Sequence, residues 1–346
     1  MMNITTRKVK LVLLLIISII GLLLTGACSN EGTKNSSSAS SNVKEESDKE
    51  KTKVNIAING GLNLLTIAKY KGWFEEEFKK ENAEVNWVEF QSSAAVLEAI
   101  ASNRVDFSFV GEGSLVTGIT SKIPMKAISV TGVEGNQNSI IVQPGSPIKT
   151  IADLKGKTIA IAKASSAHIF LIKALEKNGL KESDVNLIQL EPTEALPAFQ
   201  TGKVDAWGTW DPYVTTEVEE GRARIVESVK TMNFLSPALM IGSDKFLHEH
   251  PDLAATYLKV YQKTVDWLPD NIDEAADILA EEKKMDKKLV KMILQNNHYI
   301  NSPISEDISK SVQSTADILY KLGTIREEVD IDKAYDNSFL DEALKK

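Results

Sequence analysis
A chain of 346 residues with 42% apolar and 25% charged side chains has the make-up of a globular protein and room for two α/β units of ordinary size. Its formal charge of −8 argues against nucleic acid as a partner, and it means that an anionic ligand must be attracted by local dipoles, because the global field repels it. The lone cysteine, Cys28, excludes an internal disulfide.

The first residues have their own character. Arg7, Lys8 and Lys10 form a basic region, and Leu11 to Leu24 is apolar apart from Ser18 and Gly21. That run is short for a membrane span and suits a signal-peptide core. It ends in Leu24-Thr25-Gly26-Ala27-Cys28, which resembles a bacterial lipoprotein cleavage site, with Thr25 where the pattern usually has Leu. The resemblance implies removal of residues 1–27 and lipid attachment at Cys28. More than one acyl chain gives stable anchoring. Residues 28–53 are rich in Ser, Lys, Glu and Asn without apolar periodicity and read as a disordered tether.

From Lys53 the pattern becomes regular. Lys53–Asn59 alternates as a strand, and Asn59-Gly60-Gly61 is a turn that lets backbone amides approach a ligand. A helix is predicted over Leu64–Phe78, a strand over Glu84–Phe90, a helix over Ala94–Ser102 after Gln91-Ser92-Ser93, and a strand over Val105–Val110. The order βαβαβ favours a mostly parallel sheet with helices on its faces. Lys126–Val130 reads as a further strand, and the polar stretch Gly132 to Asn138 as a first crossing between lobes.

Ser139–Gln143 is a strand and Pro144–Pro147 a turn. A second βαβαβ unit follows: strand Lys157–Ala162, a helix with apolar positions Ile169, Ile172 and Leu175 that stops at Gly179, strand Val185–Leu190, helix Glu194–Gln200 and strand Val204–Trp207. Its second half echoes the first unit. Glu84-Val85-Asn86 matches Asp184-Val185-Asn186, Ala99 to Asp106 matches Ala198 to Asp205, and Glu112 falls opposite Asp211. A repeat at this scale implies two related lobes rather than a solenoid.

In such sheets ligands bind beyond the carboxyl ends of the strands. Two segments of the second unit fall there: Ala164-Ser165-Ser166-Ala167-His168 and Trp207 to Asp211. The first places two hydroxyls at a helix start, whose free N–H groups and dipole can hold an anion without a fixed positive charge. A plain reading has one serine capping the helix. His168 is either a hydrogen-bonded helix-start residue or a donor to the anion. Trp207 and Trp210 either line the apolar part of a ligand or sit in the core. Asp211 precedes Pro212 at a helix start and is a cap, with or without ligand contact.

Arg224–Val229 is a strand, and Thr231–Pro237 reads as a second crossing. Two crossings predict a hinge that closes around ligand. Helices follow over Asp252–Leu268, Ile272–Glu282, Lys287–Asn296 and Ser305–Leu322, with Tyr261 and Trp267 expected to pack on the first lobe. His248-Glu249-His250 does not make a metal site, because residues two apart do not share a helix face and Pro251 follows. No metal or cofactor is expected. GxSxG is absent, so no nucleophile elbow is present.

DLKGKTIAIAKASSAHIFLIKALEKNGL from Asp153 to Leu180 and AFQTGKVDAWGTWDPY from Ala198 to Tyr213 resemble the sulfonate/taurine/nitrate group of periplasmic-type binding proteins, aliphatic sulfonate binders above all. In the first half YKGWFEEEF and VNWVEFQSSAAVLEAIASNRVDFSFVGEG carry the same likeness. The resemblance implies an α/β fold of the periplasmic binding protein type 2. Two lobes, each with a mixed, mostly parallel sheet, would hold a small anion in the cleft between them. It places lobe I at 54–133 and 235–346 and lobe II at 134–234. It also implies a monomer that hands its solute to an ABC permease and ATPase at the extracytoplasmic face of the membrane. By position, Asn59, Gly60, Gly61, Asn63, Gln91, Ser92, Ser93, Glu112, Gly113 and Ser114 form the first lobe's share of the site. Ser165, Ser166, His168, Trp207, Trp210 and Asp211 form the second's. The chain departs from the family at Ser92-Ser93, where Gly-Pro is common, and at Gly113-Ser114, where a Pro pair is common. Taurine, nitrate, an aromatic carboxylate or a pyrimidine vitamin precursor are alternative solutes. An enzyme of the thiamine-pyrimidine-synthase kind shares the fold but needs a cysteine cluster that this chain lacks.

Overall fold
The computed structural model describes residues 50–133, 138–163 and 165–345. The signal-like run, Cys28, most of the predicted tether, part of the first crossing and residue 164 lie outside the described residues. Strand β1 (Thr52–Asn59) takes in Thr52 and Lys53, so these belong to a sheet and not to the tether. It runs parallel to β2 (Ala83–Phe90) in register from Thr52↔Ala83 to Asn59↔Phe90. Between them the chain makes two helices, α1 (Leu64–Tyr70) and α2 (Trp73–Lys80), where the periodicity predicts one. The break is Gly72, whose φ of +66° lies in the left-handed region that suits a residue without Cβ. Helix α3 (Ser93–Ala101) leads to β3 (Phe107–Gly111), which runs parallel to β1 on its other side. Helix α4 (Glu112–Thr120) starts directly after β3, and β4 (Met125–Gly132) follows.

The chain then crosses to a second sheet. Its elements are β5 (Ser139–Val142), β6 (Thr158–Ile161), α5 (Ser166–Lys177), β7 (Asn186–Gln189), α6 (Pro192–Gln200), β8 (Ala206–Thr209), α7 (Tyr213–Glu219), β9 (Arg224–Ser228) and the short α8 (Val229–Met232). Strand β10 (Ala238–Ser243) returns to the first sheet, antiparallel to both β3 and β4. The two five-stranded sheets have orders β2-β1-β3-β10-β4 and β7-β6-β8-β5-β9. They share one plan. Three parallel strands are followed by an antiparallel one that arrives from the other sheet. After β10 come α9 (Asp244–Glu249), α10 (Pro251–Trp267), α11 (Ile272–Lys283), α12 (Lys287–Asn296), α13 (Glu306–Lys321) and α14 (Ser338–Ala343).

The internal echo has a counterpart in hydrogen bonds. Asp106 and Asp205 each accept a backbone N–H from the neighbouring strand, of Asn55 at 2.7 Å and of Thr158 at 2.8 Å. Each returns its own N–H to the carbonyl of that same residue. Asn103 and Gly202, which the echo aligns, both have positive φ, +53° and +70°. Asparagine is among the few side chains that tolerate that region.

One core covers the first sheet beneath α1, α2, α10, α11 and α12, where the Phe107 and Tyr257 rings stack 4.3 Å apart. The opposite face packs against α3, α4 and α13, and also against Ile169 and Ile172 of α5. The other apolar residues of α5, among them Phe170, Leu171 and Leu175, belong to the core of the second sheet. The sequence groups Ile169, Ile172 and Leu175 on one face; the structure divides them between two cores. Burial of each isoleucine contributes roughly 1.5–3 kcal/mol. The turn at the start of α5 is therefore held from both sheets.

Candidate functional site
The carboxyl ends of the parallel strands of both sheets converge on one cavity of about 170 Å³. The β1–α1 turn contributes Asn59, Gly60, Gly61, Leu62 and Asn63; the β2–α3 turn, Gln91, Ser92 and Ser93; and the β3–α4 junction, Gly111 and Ser114. From the second sheet come Lys163, Ser165 and Ser166 after β6, Glu191 after β7, and Trp210 and Asp211 after β8. Thr131, Asn138, Met240, Tyr261, Ile293, Asn297 and Tyr299 complete the wall. The volume lies below the roughly 300–1,000 Å³ of pockets that take drug-sized molecules, which points to a small solute.

One wall is made of hydroxyls and helix starts. Ser165 is the N-cap of α5, and its Oγ accepts the His168 N–H at 3.2 Å. A hydroxyl that accepts in this way keeps its own proton available. Ser166 differs: its Oγ is placed to donate to Asn138 Oδ1 at 2.9 Å. Ser93 Oγ accepts from Asn59 Nδ2 at 2.8 Å, and Ser92, the N-cap of α3, makes no side-chain capping bond. The N–H groups that open α3 and α5 thus face one small space together with the positive ends of two dipoles. A Cβ on Gly111 would stand 3.2 Å from Ser166 Cβ, so glycine permits the two sheets to approach here.

The rest of the lining is apolar and carries acceptors. Leu62, Phe109, Trp210, Met240 and Ile293 supply the apolar surface. Asp211 Oδ1 accepts from the Thr215 N–H at 3.0 Å and hydroxyl at 2.7 Å, so it caps α7 although Pro212 is the residue preceding that helix. Asp211 Oδ2 receives only a long contact, 3.4 Å, from Asn297 Nδ2. Asn297 Oδ1 is buried without a hydrogen-bond partner. Burial raises the Asp211 pKa above the usual carboxylate value, against the lowering effect of the Thr215 and Asn297 bonds. The Tyr299 phenol is also raised, by burial first and then by Asp211.

The sequence profile of the NMT1/THI5 like family matches residues 62–275, more than half of the chain. The chain belongs to the NMT1/THI5 like family. A Bacillus subtilis (strain 168) protein named as a candidate aliphatic sulfonates-binding protein is 38% identical over 297 residues, covering 86% of this chain and 90% of its own length. The structure of the alkanesulfonate-binding protein SsuA from Xanthomonas axonopodis pv. citri, bound to MOPS, superposes with a TM-score of 0.78 at 25% identity, over 83% of this chain and 99% of that one. A desulfurization enzyme shares the fold at a TM-score of 0.61 and 18% identity, over 85% of this chain and 99% of its own. Members of this fold thus include both binding proteins and enzymes.

Four residues that sequence reading placed at the site do not line the cavity. Trp207 is 1% exposed and packs against Phe199 and Tyr213, because strand alternation turns it into the core while Trp210 lies beyond the strand end. His168 is buried with Nε2 at 3.2 Å from Glu182, and burial lowers its pKa despite that carboxylate. Glu112 is 1% exposed and points away from the cleft, to Lys173 at 3.4 Å and the Thr315 hydroxyl at 2.7 Å. Gly113 is buried inside α4. Burial raises the Glu112 pKa, an effect that Lys173, Thr315 and Ser236 oppose. Among the described residues, sequence reading missed Asn138, Asn297 and Tyr299 as wall residues, and Tyr261 both packs in the first core and lines the cavity. No local motif marks Asn297 or Tyr299.

Proposed function
We propose that this chain is the solute receptor of an ABC importer, and that it captures a small anion, an aliphatic sulfonate, in the cleft between its sheets. The observation that carries the reading is the start of α5, where Ser165 caps the helix with its hydroxyl proton still free and opens on the cavity. A sulfonate has three acceptor oxygens and one charge, which suits free amides and hydroxyls at a helix start. Its carbon chain suits Trp210, Ile293 and Leu62. The names of the Bacillus subtilis and Xanthomonas relatives support the same class of solute. The reading divides the chain into a signal peptide at 1–27, a tether that ends before β1 at Thr52, one lobe at 52–133 and 235–346, and a second lobe at 134–234. Lipid on Cys28 holds the mature monomer on the extracytoplasmic face of the membrane, where it meets the permease and ATPase. The receptor performs no turnover, and its one cysteine, Cys28, leaves the cleft without a thiol nucleophile.

A second reading, taurine or another aminosulfonate, is favoured by Asp211 Oδ2 and the unpartnered Asn297 Oδ1 at the cavity wall. Both are acceptors and match an ammonium group. A thermal-shift screen over alkanesulfonates, taurine, nitrate and pyrimidines, followed by calorimetry, tests both readings. Stabilisation by simple sulfonates is expected. A response to none of the anions refutes the proposal.

A further inference from the structure
The first sheet meets the cavity through a buried amide. Strands β1 and β3 run parallel, in register at Ile56↔Phe107, and further along side chains also link them. Ser108 Oγ donates to the Ala57 carbonyl at 3.0 Å. At the end of β1, Asn59, 7% exposed, donates from Nδ2 to the Phe109 carbonyl at 3.3 Å and to Ser93 Oγ at 2.8 Å. Ser93 is the first residue of α3 and lines the cavity.

The direction of these bonds follows from the inventory of protons. A backbone carbonyl only accepts, so the Phe109 oxygen requires the NH₂ side of the Asn59 amide; a reversed amide would set two oxygens against each other. The second N–H of that NH₂ then falls to Ser93, whose hydroxyl accepts it. A serine has one proton of its own, and among the described residues none accepts the proton of Ser93, so it is left for the cavity. The fold does not demand an amide here. The matched bonds of Asp106 to Asn55 and of Asp205 to Thr158 align β1 with β6, and that alignment sets Ala162 opposite Asn59. Strands β6 and β8 pair in parallel without a polar side chain at that position.

Resting on the anion-binding reading above, we propose that Ser93 donates its hydroxyl proton to the bound anion from the first sheet, and that Asn59 is the positioning residue that sets this direction. The anion is then held by one hydroxyl from each sheet, Ser93 and Ser165, each of which accepts an N–H from its own side and keeps its proton for the solute. A sulfonate has an oxygen for each hydroxyl and a third for the free N–H groups at the helix starts. Without the Asn59 amide, the Ser93 hydroxyl is free to turn toward the vacated Phe109 carbonyl and gives less to the solute.

The test is the calorimetric affinity for methanesulfonate of Ser93→Ala, Asn59→Ala, Ser165→Ala and the double variants Ser93→Ala/Asn59→Ala and Ser165→Ala/Asn59→Ala, with melting temperatures as controls for folding. Ser93→Ala is expected to weaken binding by about tenfold or more. In the Asn59→Ala background the same change is expected to cost less than about threefold, while the cost of Ser165→Ala stays as it is in the otherwise unaltered protein. A merely structural loss at Asn59 does not single out Ser93 in this way. A crystal of the unaltered protein with methanesulfonate gives a reading that needs no variant to fold: a sulfonate oxygen is expected within hydrogen-bond distance of Ser93 Oγ. Oxygens that touch only residues of the second sheet overturn the proposal. So does a Ser93→Ala affinity within about twofold of the unaltered protein, and a Ser93→Ala cost that is the same with and without Asn59 overturns the role of the amide. Absence of methanesulfonate binding by the unaltered protein overturns the sulfonate reading and this proposal together, whereas a large loss for Ser165→Ala with none for Ser93→Ala overturns this proposal alone.

Discussion

Replacing Ser165 probes both of its tasks, and the two can be separated. Its Oγ accepts the His168 N–H at 3.2 Å, which leaves its own proton free to donate at the cavity that Ser165 lines. Loss of the cap in Ser165→Ala costs about 1 kcal/mol of stability, whereas glycine at an N-cap costs only a few tenths. Loss of a charge-assisted hydrogen bond to a bound anion costs about 1.5–3 kcal/mol, or about 10- to 150-fold in affinity. Ser165→Gly should therefore melt close to the unaltered protein and still bind methanesulfonate at least about tenfold more weakly, while Ser165→Ala loses both stability and affinity. Calorimetry alongside thermal melts reads the two effects. An affinity for Ser165→Gly within about twofold of the unaltered protein removes this hydroxyl from the mechanism, since even the weakest charge-assisted bond exceeds that.

Trp210 lies at the apolar wall, so in the unaltered protein each added methylene of a linear sulfonate should improve binding by up to about fourfold, from roughly 0.8 kcal/mol per buried CH₂, and Trp210→Ala should flatten that series in competition titrations. Asp211→Asn should weaken taurine by at least about tenfold relative to ethanesulfonate if the aminosulfonate reading holds, and leave the ratio unchanged if the carboxyl only caps α7. His168 has a folded pKa below its ordinary value of 6.5, so the folded state binds fewer protons than the unfolded one in that window, and stability is lost as pH falls below about 6.5. The melting temperature should fall less steeply between about pH 7 and 5 in His168→Gln, because the raised pKa values of Glu112 and Asp211 act in the opposite sense in both proteins. Cys28→Ala should release the protein from membranes, and intact mass of membrane-extracted protein should show lipid on Cys28; a retained segment from Met1 to Ala27 contradicts the anchor.

Much of this architecture could be read before any coordinates. Alternation over Lys53–Asn59, helical spacing and the paired Val-Asp turns identify two βαβαβ units, and the turns recur in space with the same hydrogen bonds. Local signals also located the Ser165-Ser166 turn, because it follows a strand and opens a helix. Local signals failed where a side chain's partner lies far along the chain. Glu112 is turned from the cleft by Lys173, and by Thr315, 203 residues away. Asn297 and Tyr299 reach the wall only because β10 returns to the first sheet and carries the C-terminal helices back with it. Trp207 and Trp210 look equivalent as a pair three residues apart, and only the end of β8 at Thr209 separates a core tryptophan from a cleft one. A lone glycine inside a helical pattern does not by itself force a break, so the split at Gly72, with its φ of +66°, is not legible in the spacing over Leu64–Phe78.

A crystal of the mature protein grown with 2-bromoethanesulfonate would locate both ends of the solute at once. The account predicts sulfonate oxygens within hydrogen-bond distance of Ser165 Oγ and the first N–H groups of α5, with the bromine's anomalous peak against Trp210. A sulfonate bound outside the space between the two sheets, or one seated there with its oxygens turned to Asp211 and Asn297, would contradict it.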